Sequence, residues 1–430
     1  LEVDPAWCAT RHALPGAPRR VYLKGAPEAV LRLCTGEGAA ARNAVRAAAE
    51  DMAAAALRVL AFAVVDDEML ADSGLAALWA ADQAALRRAA YARLRRHWHF
   101  KNELFLFEDI HHLIFFGVHV YGRQSAPSFV QASFLVHPET VDASLNHSGG
   151  GHAPGLQLPA GGWDLRPHWS RLVPVDLKVL ADWALLFDGP GTPADEARLL
   201  RPITTDDLEA LSVLARQPHR LADHAYSWTQ GWNETNAKTD GIIRWQTGIP
   251  DTWDDVVLQG PHFTVATPFN KQPNENCRNN SDYSEWDLET LPESQIPRTN
   301  YQRASDPDIY QAEQAHWGGQ PASLRFRHVH REMTQPGLER SVQGAIIPPG
   351  PLHIHACLSY GFDDHHDLAR WAGLMASLPF DYLFKASGAA HVAEHQLARM
   401  PFPKASNFDA PMLLRVLRLN CLTADYAPLW

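Results

Sequence analysis

The sequence predicts a mixed α/β (α+β) fold, in which a small N-terminal strand-helix-helix-strand piece precedes a large α+β body. Its 430 residues are 46% hydrophobic and 20% charged, an ordinary globular composition. Residues 1 to 90 are rich in Ala and Arg and combine strand-like and helical runs, whereas residues 220 to 320 are rich in Trp, Asn, Asp and Pro. At roughly 150 residues per domain, the length predicts two or three domains.

The N-terminal piece begins with a short predicted strand, Val21–Lys24. Gly25–Pro27 is predicted to be a turn that places Pro27 at the start of a helix over Glu28–Leu33. A longer helix is predicted over Ala39–Ala56. The apolar run Leu57–Val65 gains β-branched residues towards its end and predicts a buried strand.

A further helix is predicted over Ala80–His99, since Leu86, Ala90 and Leu94 recur at helical spacing. This helix would form a basic linker between the N-terminal piece and the body. Its arginines lie near the opposite face and are Arg87, Arg88, Arg93, Arg95 and Arg96.

The body begins with strand-like alternation over Asp109–Tyr121 and a glycine-rich surface loop at Gly149–Gly151. Residues 204–217 and 363–377 predict amphipathic helices. Residues 266–303 form a long polar stretch with many Asn and Pro residues. Loops of that length are usually functional or disordered.

Composition and charge exclude several classes of protein. The longest apolar stretch, Leu104–Val120, is broken by Glu108, Asp109, His111 and His112, so no segment reaches the ~18 uncharged residues of a membrane span. The five cysteines are scattered and form no CxxC pair, which favours a cytoplasmic location over a disulfide framework. The net charge of −11 excludes a uniformly basic nucleic-acid binder, but it allows one local basic groove.

Two segments near the N-terminus carry a first family resemblance. They are YLKGAPEAVLRLC from Tyr22 and MAAAALRVLAFA from Met52. In this order and spacing they resemble part of the nucleotide-binding domain of P-type cation-transporting ATPases, which would assign residues 1–68 to such a fragment. The resemblance implies that Lys24 and Gly25 line an adenosine pocket. The sequence has no DKTG-type phosphorylation motif, so it predicts no self-phosphorylation.

A longer series of motifs runs from residue 93 to the end of the chain. The series is RLRRHWHFKNELFLFEDIHHLIFFGVHVYG from Arg93, HPETVDASLNHSGGGHAPG from His137, WNETNAKTDGIIR from Trp232, IPRTNY from Ile296, AIIPPGPLHIHAC from Ala345, SLPFDYLFKASGAAH from Ser377 and VLRLNCLTADYAPLW from Val416. It resembles the C-terminal half of large adenine-specific, class I SAM-dependent DNA methyltransferases of restriction-modification and DISARM-type phage-defence systems.

The resemblance implies a role in target recognition for residues 99–430, with residues 69–98 as the basic helical linker. It implies double-stranded DNA as a partner, together with a separate or missing methylase domain. The parent family uses S-adenosylmethionine (SAM). This sequence has neither the Asn/Asp-Pro-Pro-aromatic tetrad that holds a flipped adenine nor a Gly-rich turn after a strand. We therefore predict no catalytic residue and no cofactor bound by this chain; Thr267–Asn270 is the nearest string to the tetrad.

The side chains most suited to reading DNA bases are concentrated in the long polar stretch. Arg can grip guanine and Asn can grip adenine with two hydrogen bonds each. The alternative is that these Asn residues fill turns and the Arg residues are merely solvated. The candidates are Asn276, Arg278, Asn279, Asn280, Arg298, Asn300 and Arg303.

A second candidate contact is the basic helix, whose Arg87, Arg95 and Arg96 could lie along DNA phosphates. Trp228, Trp232 and Trp245 could stack on an unpaired base, although core packing is the more usual role of such residues.

Histidine pairs raise the question of a metal site. His353 and His355 would share a face on a strand, as metal ligands do, but no third ligand follows from the sequence, and we predict no metal. Two functions compete with DNA recognition, namely a nucleotide-binding module derived from a transport ATPase and a non-functional gene fusion.

Overall fold

The computed structural model describes residues 2–3, 7–12, 20–25, 43, 61–66 and 84–430, apart from 109, 190, 266–268, 335–336 and 407–408. The fold is mixed α+β. The chain divides into two compact units, Leu1–Leu86 and Arg87–Trp430.

The smaller unit contains a four-stranded antiparallel sheet. Its strands are β1 (Glu2–Val3), β2 (Trp7–His12), β3 (Arg20–Gly25) and β4 (Ala61–Asp66), in the order β1-β2-β3-β4. The strands predicted near Val21 and Val65 are therefore confirmed.

The two helices predicted between those strands, Glu28–Leu33 and Ala39–Ala56, lie outside the described residues except for residue 43, which is helical.

The first sheet of the larger unit follows a helix, α1, over residues 84–91. The sheet comprises β5 (Leu94–Lys101), β6 (Phe115–Tyr121), β7 (Ser128–Leu135) and β8 (Val173–Asp176). Its order is β6-β5-β7-β8, with β5 and β7 parallel and the other neighbours antiparallel. The strand predicted from Asp109 begins only at Phe115.

The helix predicted over Ala80–His99 was wrong in its second half. The helical residues end at 91, and Leu94–Lys101 forms the β5 strand, paired on both sides. Sheet pairing and aromatic residues such as Trp98 and Phe100 override the helical spacing of the arginines. Arg95 and Arg96 therefore do not share a helical face with Arg87, and residues 94–98 belong to the body of the larger unit.

A second four-stranded sheet lies further along the chain. Its strands are β9 (Ser227–Thr229), β17 (Arg327–Arg331), β18 (Gly344–Ile347) and β20 (Cys357–Gly361). Their order is β18-β17-β20-β9, and all neighbours are antiparallel.

The remaining strands form two-stranded pairs. They are β10 (Ile243–Gly248) with β14 (Thr299–Arg303), β11 (Val257–Leu258) with β19 (Leu352–His353), β12 (Lys271–Pro273) with β13 (Tyr283–Glu285), and β15 (His316–Trp317) with β16 (Gln320–Pro321).

Further helices follow α1 in the described part of the chain. They are α2 (Pro138–Leu145), α3 (Leu177–Phe187), α4 (Asp206–Ala215), α5 (Glu234–Thr239), α6 (Pro307–Ala312), α7 (His365–Met375), α8 (Leu378–Ser387), α9 (Glu394–Leu397) and α10 (Asp409–Asn420). The amphipathic helices predicted over 204–217 and 363–377 are confirmed as α4 and α7. None of the helices in the described part of the chain has the length and hydropathy of a membrane span.

The main core joins several of these helices, among them α3, α7 and α8, to the second sheet. Trp183 of α3, Trp371 of α7 and Tyr360 of β20 are each at most 1% exposed and belong to one hydrophobic cluster. A smaller cluster lies under β11 and β17 and includes Phe263 and Phe269. This smaller cluster supports the polar segment, residues 266–303, that carries most of the candidate DNA-reading residues.

Candidate nucleic-acid interface

The polar segment forms a compact hairpin rather than an unstructured loop. Pro273 at the end of β12 pairs with Tyr283 at the start of β13. Between them, the Asn274 amide donates to the Asp282 carboxylate at 2.6 Å, and the Asp282 N–H donates to the Asn279 carbonyl at 3.1 Å. These bonds close the loop over residues 274–282, which we call the reading loop.

The reading loop is anchored to the protein by Cys277. This residue is 7% exposed, although its neighbours Asn276 and Arg278 are exposed. Its sulfur lies 3.4 Å from the Asn279 carbonyl and 3.5 Å from Nδ2 of Asn300. These contacts favour the observed loop conformation, and such preorganisation reduces the ordering entropy of binding.

Three side chains of the reading loop are exposed and have no hydrogen-bond or ion-pair partner among the described residues: Asn276, Arg278 and Asn280. Their donors and acceptors are free for a ligand. Asn279 is exposed too, but its Oδ1 accepts from the N–H of Ser281 at 2.9 Å and from the Ser281 hydroxyl at 2.6 Å. Asn279 therefore caps a turn, which is the alternative role that the sequence left open.

Arg298 braces the reading loop from the next segment. Its guanidinium donates to the Pro273 carbonyl at 3.1 Å and pairs with Glu275 at 3.4 Å. Arg303 pairs with Asp255 at 3.1 Å and lies 5.8 Å from the ring centre of Tyr310. Both arginines are thus engaged by protein groups.

Asn300 lies in the core at 1% exposure. Its Nδ2 donates to Gln259 at 3.0 Å and Tyr283 at 3.2 Å, and its Oδ1 accepts from Thr247 at 3.0 Å. Burial also raises the pKa of the Tyr283 hydroxyl, which keeps it a neutral partner in this network. With its donors occupied, Asn300 supports the loop from below instead of facing solvent.

A cleft of about 250 Å³ adjoins the reading loop, and Asn280 lines it. The cations in its wall are Lys271 of β12 and Arg331 of β17. Nη1 of Arg331 donates to Gln343 at 2.6 Å, and burial lowers the pKa of this guanidinium. No carboxylate belongs to the cleft wall over the described residues. The remaining wall residues are Gly260, Pro261, Phe263, Thr264, Met333, Gln343 and Ala356.

This cleft can bind an anion. No ion pair in the described part of the chain involves Lys271, Arg331 or Arg278; the nearest acid in the sheet register is Glu285, the cross-strand neighbour of Lys271. A half-buried guanidinium and ammonium face less solvent screening than surface charges do. The sequence analysis missed Lys271 and Arg331, because they are far apart in the chain and neither belongs to a run of basic residues.

The predicted phosphate-contacting arginines lie elsewhere and are only partly free. Nε of Arg87 on α1 donates to the Glu196 carbonyl at 2.7 Å. Arg95 on β5 donates to the Arg123 carbonyl and to the Ser125 hydroxyl, the latter at 3.0 Å. Arg96 is exposed, with its guanidinium 5.7 Å from the ring centre of Trp98. The structure thus places these three residues on two elements instead of one basic stripe.

Lys24 and Gly25 end strand β3 of the smaller unit. Lys24 pairs with Cys8 and Phe62, and Gly25 pairs with Trp7 and Ala61. The turn predicted to follow them lies outside the described residues.

The tryptophans have separate roles. Trp232 donates from its indole N–H to the Glu313 carbonyl at 2.9 Å and packs on Tyr310, with ring centres 5.0 Å apart. Trp228 and Trp245 remain 41% and 49% exposed on different strands.

Histidine pairs do not assemble a metal centre over the described residues, where no group of three His, Cys, Asp or Glu residues has suitable geometry. The expected shared face of His353 and His355 was wrong, since β19 ends at His353. His353 is buried and bonds to the Ser359 hydroxyl at 2.9 Å, whereas His355 is exposed. Of the string Thr267–Asn270, only Phe269 and Asn270 are described, and both are buried.

No protein-family model matches this chain, and a search of curated proteins finds no match either.

Proposed function

We propose that residues 99–430 are the DNA-recognition portion of an adenine-specific DNA methyltransferase system of the restriction-modification or phage-defence type, and that the chain lacks its own SAM-binding and catalytic parts. The observation that carries this proposal is the reading loop. It presents Asn276, Arg278 and Asn280 to solvent, unpartnered among the described residues, from a backbone anchored by the buried Cys277.

Unpartnered Asn and Arg side chains are the groups that pair with adenine and guanine edges in the major groove. A rigid two-stranded hairpin is also narrow enough to enter that groove, which admits a two-stranded ribbon. The reading loop connects such a pair, β12 and β13. This supports base contacts by the loop tip.

The cleft next to the loop supplies a contact of a different kind. Lys271 and Arg331 face an acid-free wall, so a DNA phosphate there would meet two positive charges. Phosphate contacts position a protein on DNA without reading sequence, and base contacts then specify the site. The net charge of −11 makes such a confined positive site necessary for attraction to DNA.

The test is fluorescence anisotropy of the full chain on labelled duplexes with a randomised 20-base-pair centre, at several salt concentrations. In a second experiment, tightly bound duplexes are selected from the randomised pool and sequenced. Wild-type chain should bind the pool at low salt and enrich a preferred sequence. Absence of binding at tens of micromolar protein in 50 mM salt would overturn the proposal.

Variants divide the two kinds of contact. The double variant K271A/R331A should weaken binding to all duplexes. The logarithm of the binding constant falls linearly with the logarithm of the salt concentration, and each phosphate contact contributes about 0.9 to the magnitude of that slope. Loss of both contacts should therefore reduce the magnitude of the slope by about 1.8. N276A and R278A should each reduce the ratio of affinities for selected and random duplexes. The expected reduction is roughly 5- to 150-fold for each lost base contact, which corresponds to about 1–3 kcal/mol.

Arg418→Ala is the matched control, since Arg418 is an exposed arginine on α10, outside the reading loop and the cleft wall. It should leave both affinity and selectivity unchanged. Equal loss of affinity for selected and random duplexes in R278A would show that the reading loop does not read bases.

A further inference from the structure

A hairpin at one edge of the first sheet in the larger unit exposes many large apolar side chains. It comprises β5, the connecting residues 102–114 and β6, and we call it the apolar hairpin. Ten of its residues are 42–55% exposed. They are Leu104, Phe105, Leu106, Phe107, Ile110, Leu113, Ile114, Val118, Val120 and Tyr121.

The connecting segment is folded around the side chain of Asn102. Asn102 is fully buried, and its Nδ2 donates to the carbonyls of Phe107 and Ile110 at 2.9 and 2.7 Å. Its Oδ1 accepts from the Phe107 N–H at 3.1 Å, and its own N–H donates to the Ile114 carbonyl at 2.9 Å. The exposed apolar side chains therefore belong to a segment that these hydrogen bonds hold in a folded conformation.

The outer edge of β6 is open over the described residues, since the sheet order β6-β5-β7-β8 places no strand beyond it. Protein edges of this kind are normally protected by Lys, Pro or a bulge. The β6 sequence, FFGVHVY, contains no charged residue and no Pro. An unprotected edge with apolar side chains is a template for pairing with another strand.

We propose that this edge is the site of self-association, in which β6 of one copy pairs antiparallel with β6 of a second copy about a twofold axis near Val118. Two features favour a second copy as the occupant. A twofold interface uses the same patch on both subunits, as an antiparallel strand pair does. The exposed apolar area also reaches the required size when the connecting segments that flank the paired strands join the interface: Val118, Val120 and Tyr121 of β6 and seven side chains of the connecting segment together present roughly 800 Å² per copy, about what a standard interface buries on each side.

The charges of the apolar hairpin are compatible with this pairing. Glu103 is neutralised by Lys101 at 2.6 Å, and the remaining acids, Glu108 and Asp109, lie in the connecting segment. That segment joins β6 at Phe115, and antiparallel pairing places Phe115 of one copy opposite Tyr121 of the other. The two acidic segments are thus at opposite ends of the paired strands, where their repulsion is weak.

The test is the mass of the full chain in solution, measured by light scattering after gel filtration and by sedimentation. Wild-type protein at tens of micromolar should have twice the monomer mass of 47.8 kDa. Val118→Lys and Val120→Lys should each reduce the mass to that of the monomer, because a charge at the strand edge opposes pairing. Circular dichroism confirms that both variants are folded.

Val213→Lys is the matched control, since Val213 is 48% exposed on α4. It should remain dimeric. The proposal would be overturned by a monomeric wild type, by a dimeric V118K or by a monomeric V213K. It would also be overturned if the wild type formed open-ended assemblies, or if it were a monomer that bound phosphatidylcholine vesicles. Since the readout is mass rather than DNA affinity, failure here leaves the proposed function untouched.

Discussion

Four buried histidines lie in or near the second sheet and the reading-loop network: His328 and His330 on β17, His353 on β19, and His262, which bonds to Gln259. Burial lowers the pKa of His262 and His330 to about 4, and that of His328 and His353 to about 3. The charge of His330 lowers the pKa of His328 further, and the charge of Arg327 does the same for His353. All four are neutral in the folded chain at pH 7.

We predict that the free energy of unfolding falls as the pH is lowered from about 6.5 towards 4. In that window the unfolded chain binds protons at these histidines and the folded chain does not, so protonation favours unfolding. Each buried histidine lowers the free energy of unfolding by at most about 1.4 kcal/mol per pH unit, and none lowers it above pH 7. Urea unfolding at pH 7.5, 6.0 and 5.0 measures the slope.

Replacing one of these histidines tests the origin of the slope. His353→Gln should make the stability less dependent on pH between 6.5 and 4, whereas the exposed His152→Gln should leave the slope unchanged. A slope unaffected by H353Q would mean that His353 does not contribute to the acid instability.

Gly231 illustrates a residue whose identity is set by its surroundings. Its φ is +67°, and a Cβ there would lie 2.1 Å from the His353 carbonyl oxygen. Gly241 has a similar φ of +71° but no atom within 4 Å of such a Cβ. Comparison of the two glycines therefore separates the cost of a left-handed backbone, which both positions share, from steric overlap, which only Gly231 has.

We predict that Gly231→Ala destabilises the chain much more than Gly241→Ala. The control should lose about 1–2 kcal/mol from its left-handed backbone alone, and G231A should lose at least about 2 kcal/mol more, because β19 must move away from Gly231. Thermal unfolding compares the two. Equal shifts in the midpoint would show that the contact with His353 relaxes without penalty.

At the scale of elements, strand β14 holds the reading loop through Asn300. Its side chain joins Gln259, Tyr283 and Thr247, and Cys277 of the loop lies against it. This arrangement makes Asn300 a positioning residue, in contrast to the exposed Asn276 on the loop itself.

We predict that Asn300→Ala lowers the free energy of unfolding by about 1–3 kcal/mol, because it leaves buried polar partners unsatisfied. Asn276→Ala, at an exposed position without a partner among the described residues, should stay within about 0.5 kcal/mol of wild type. Urea unfolding at pH 7.5 measures both. A destabilised N276A or an unaffected N300A would reverse the roles assigned to these residues.

At the scale of the whole molecule, the chain has no sequence motif for binding a methyl donor. We predict that it neither binds SAM nor methylates DNA by itself, because both the adenine tetrad and the Gly-rich turn are missing from its sequence. Titration calorimetry with SAM should give no heat of binding, and labelled SAM should transfer no methyl group to duplex DNA. Micromolar affinity for SAM would contradict the prediction.

Elements with strong local signals can be predicted from the amino-acid sequence alone. The strands near Val21 and Val65 and the helices over Asp206–Ala215 and His365–Met375 follow from apolar periodicity and could be predicted. The reading loop was found because Asn and Arg residues are concentrated in a polar stretch between strands. Periodicity and composition are local properties, so they need no knowledge of the fold.

Which of these residues remain free depends instead on contacts made in the tertiary structure. Arg95 and Arg96 lie on a strand because β6 and β7 flank it, and Asn300 is buried because β14 passes under the loop. The cleft brings Lys271 and Arg331 together across sixty residues of sequence. Pairing, burial and proximity depend on contacts between distant segments, and such contacts leave no periodic signal in a single sequence.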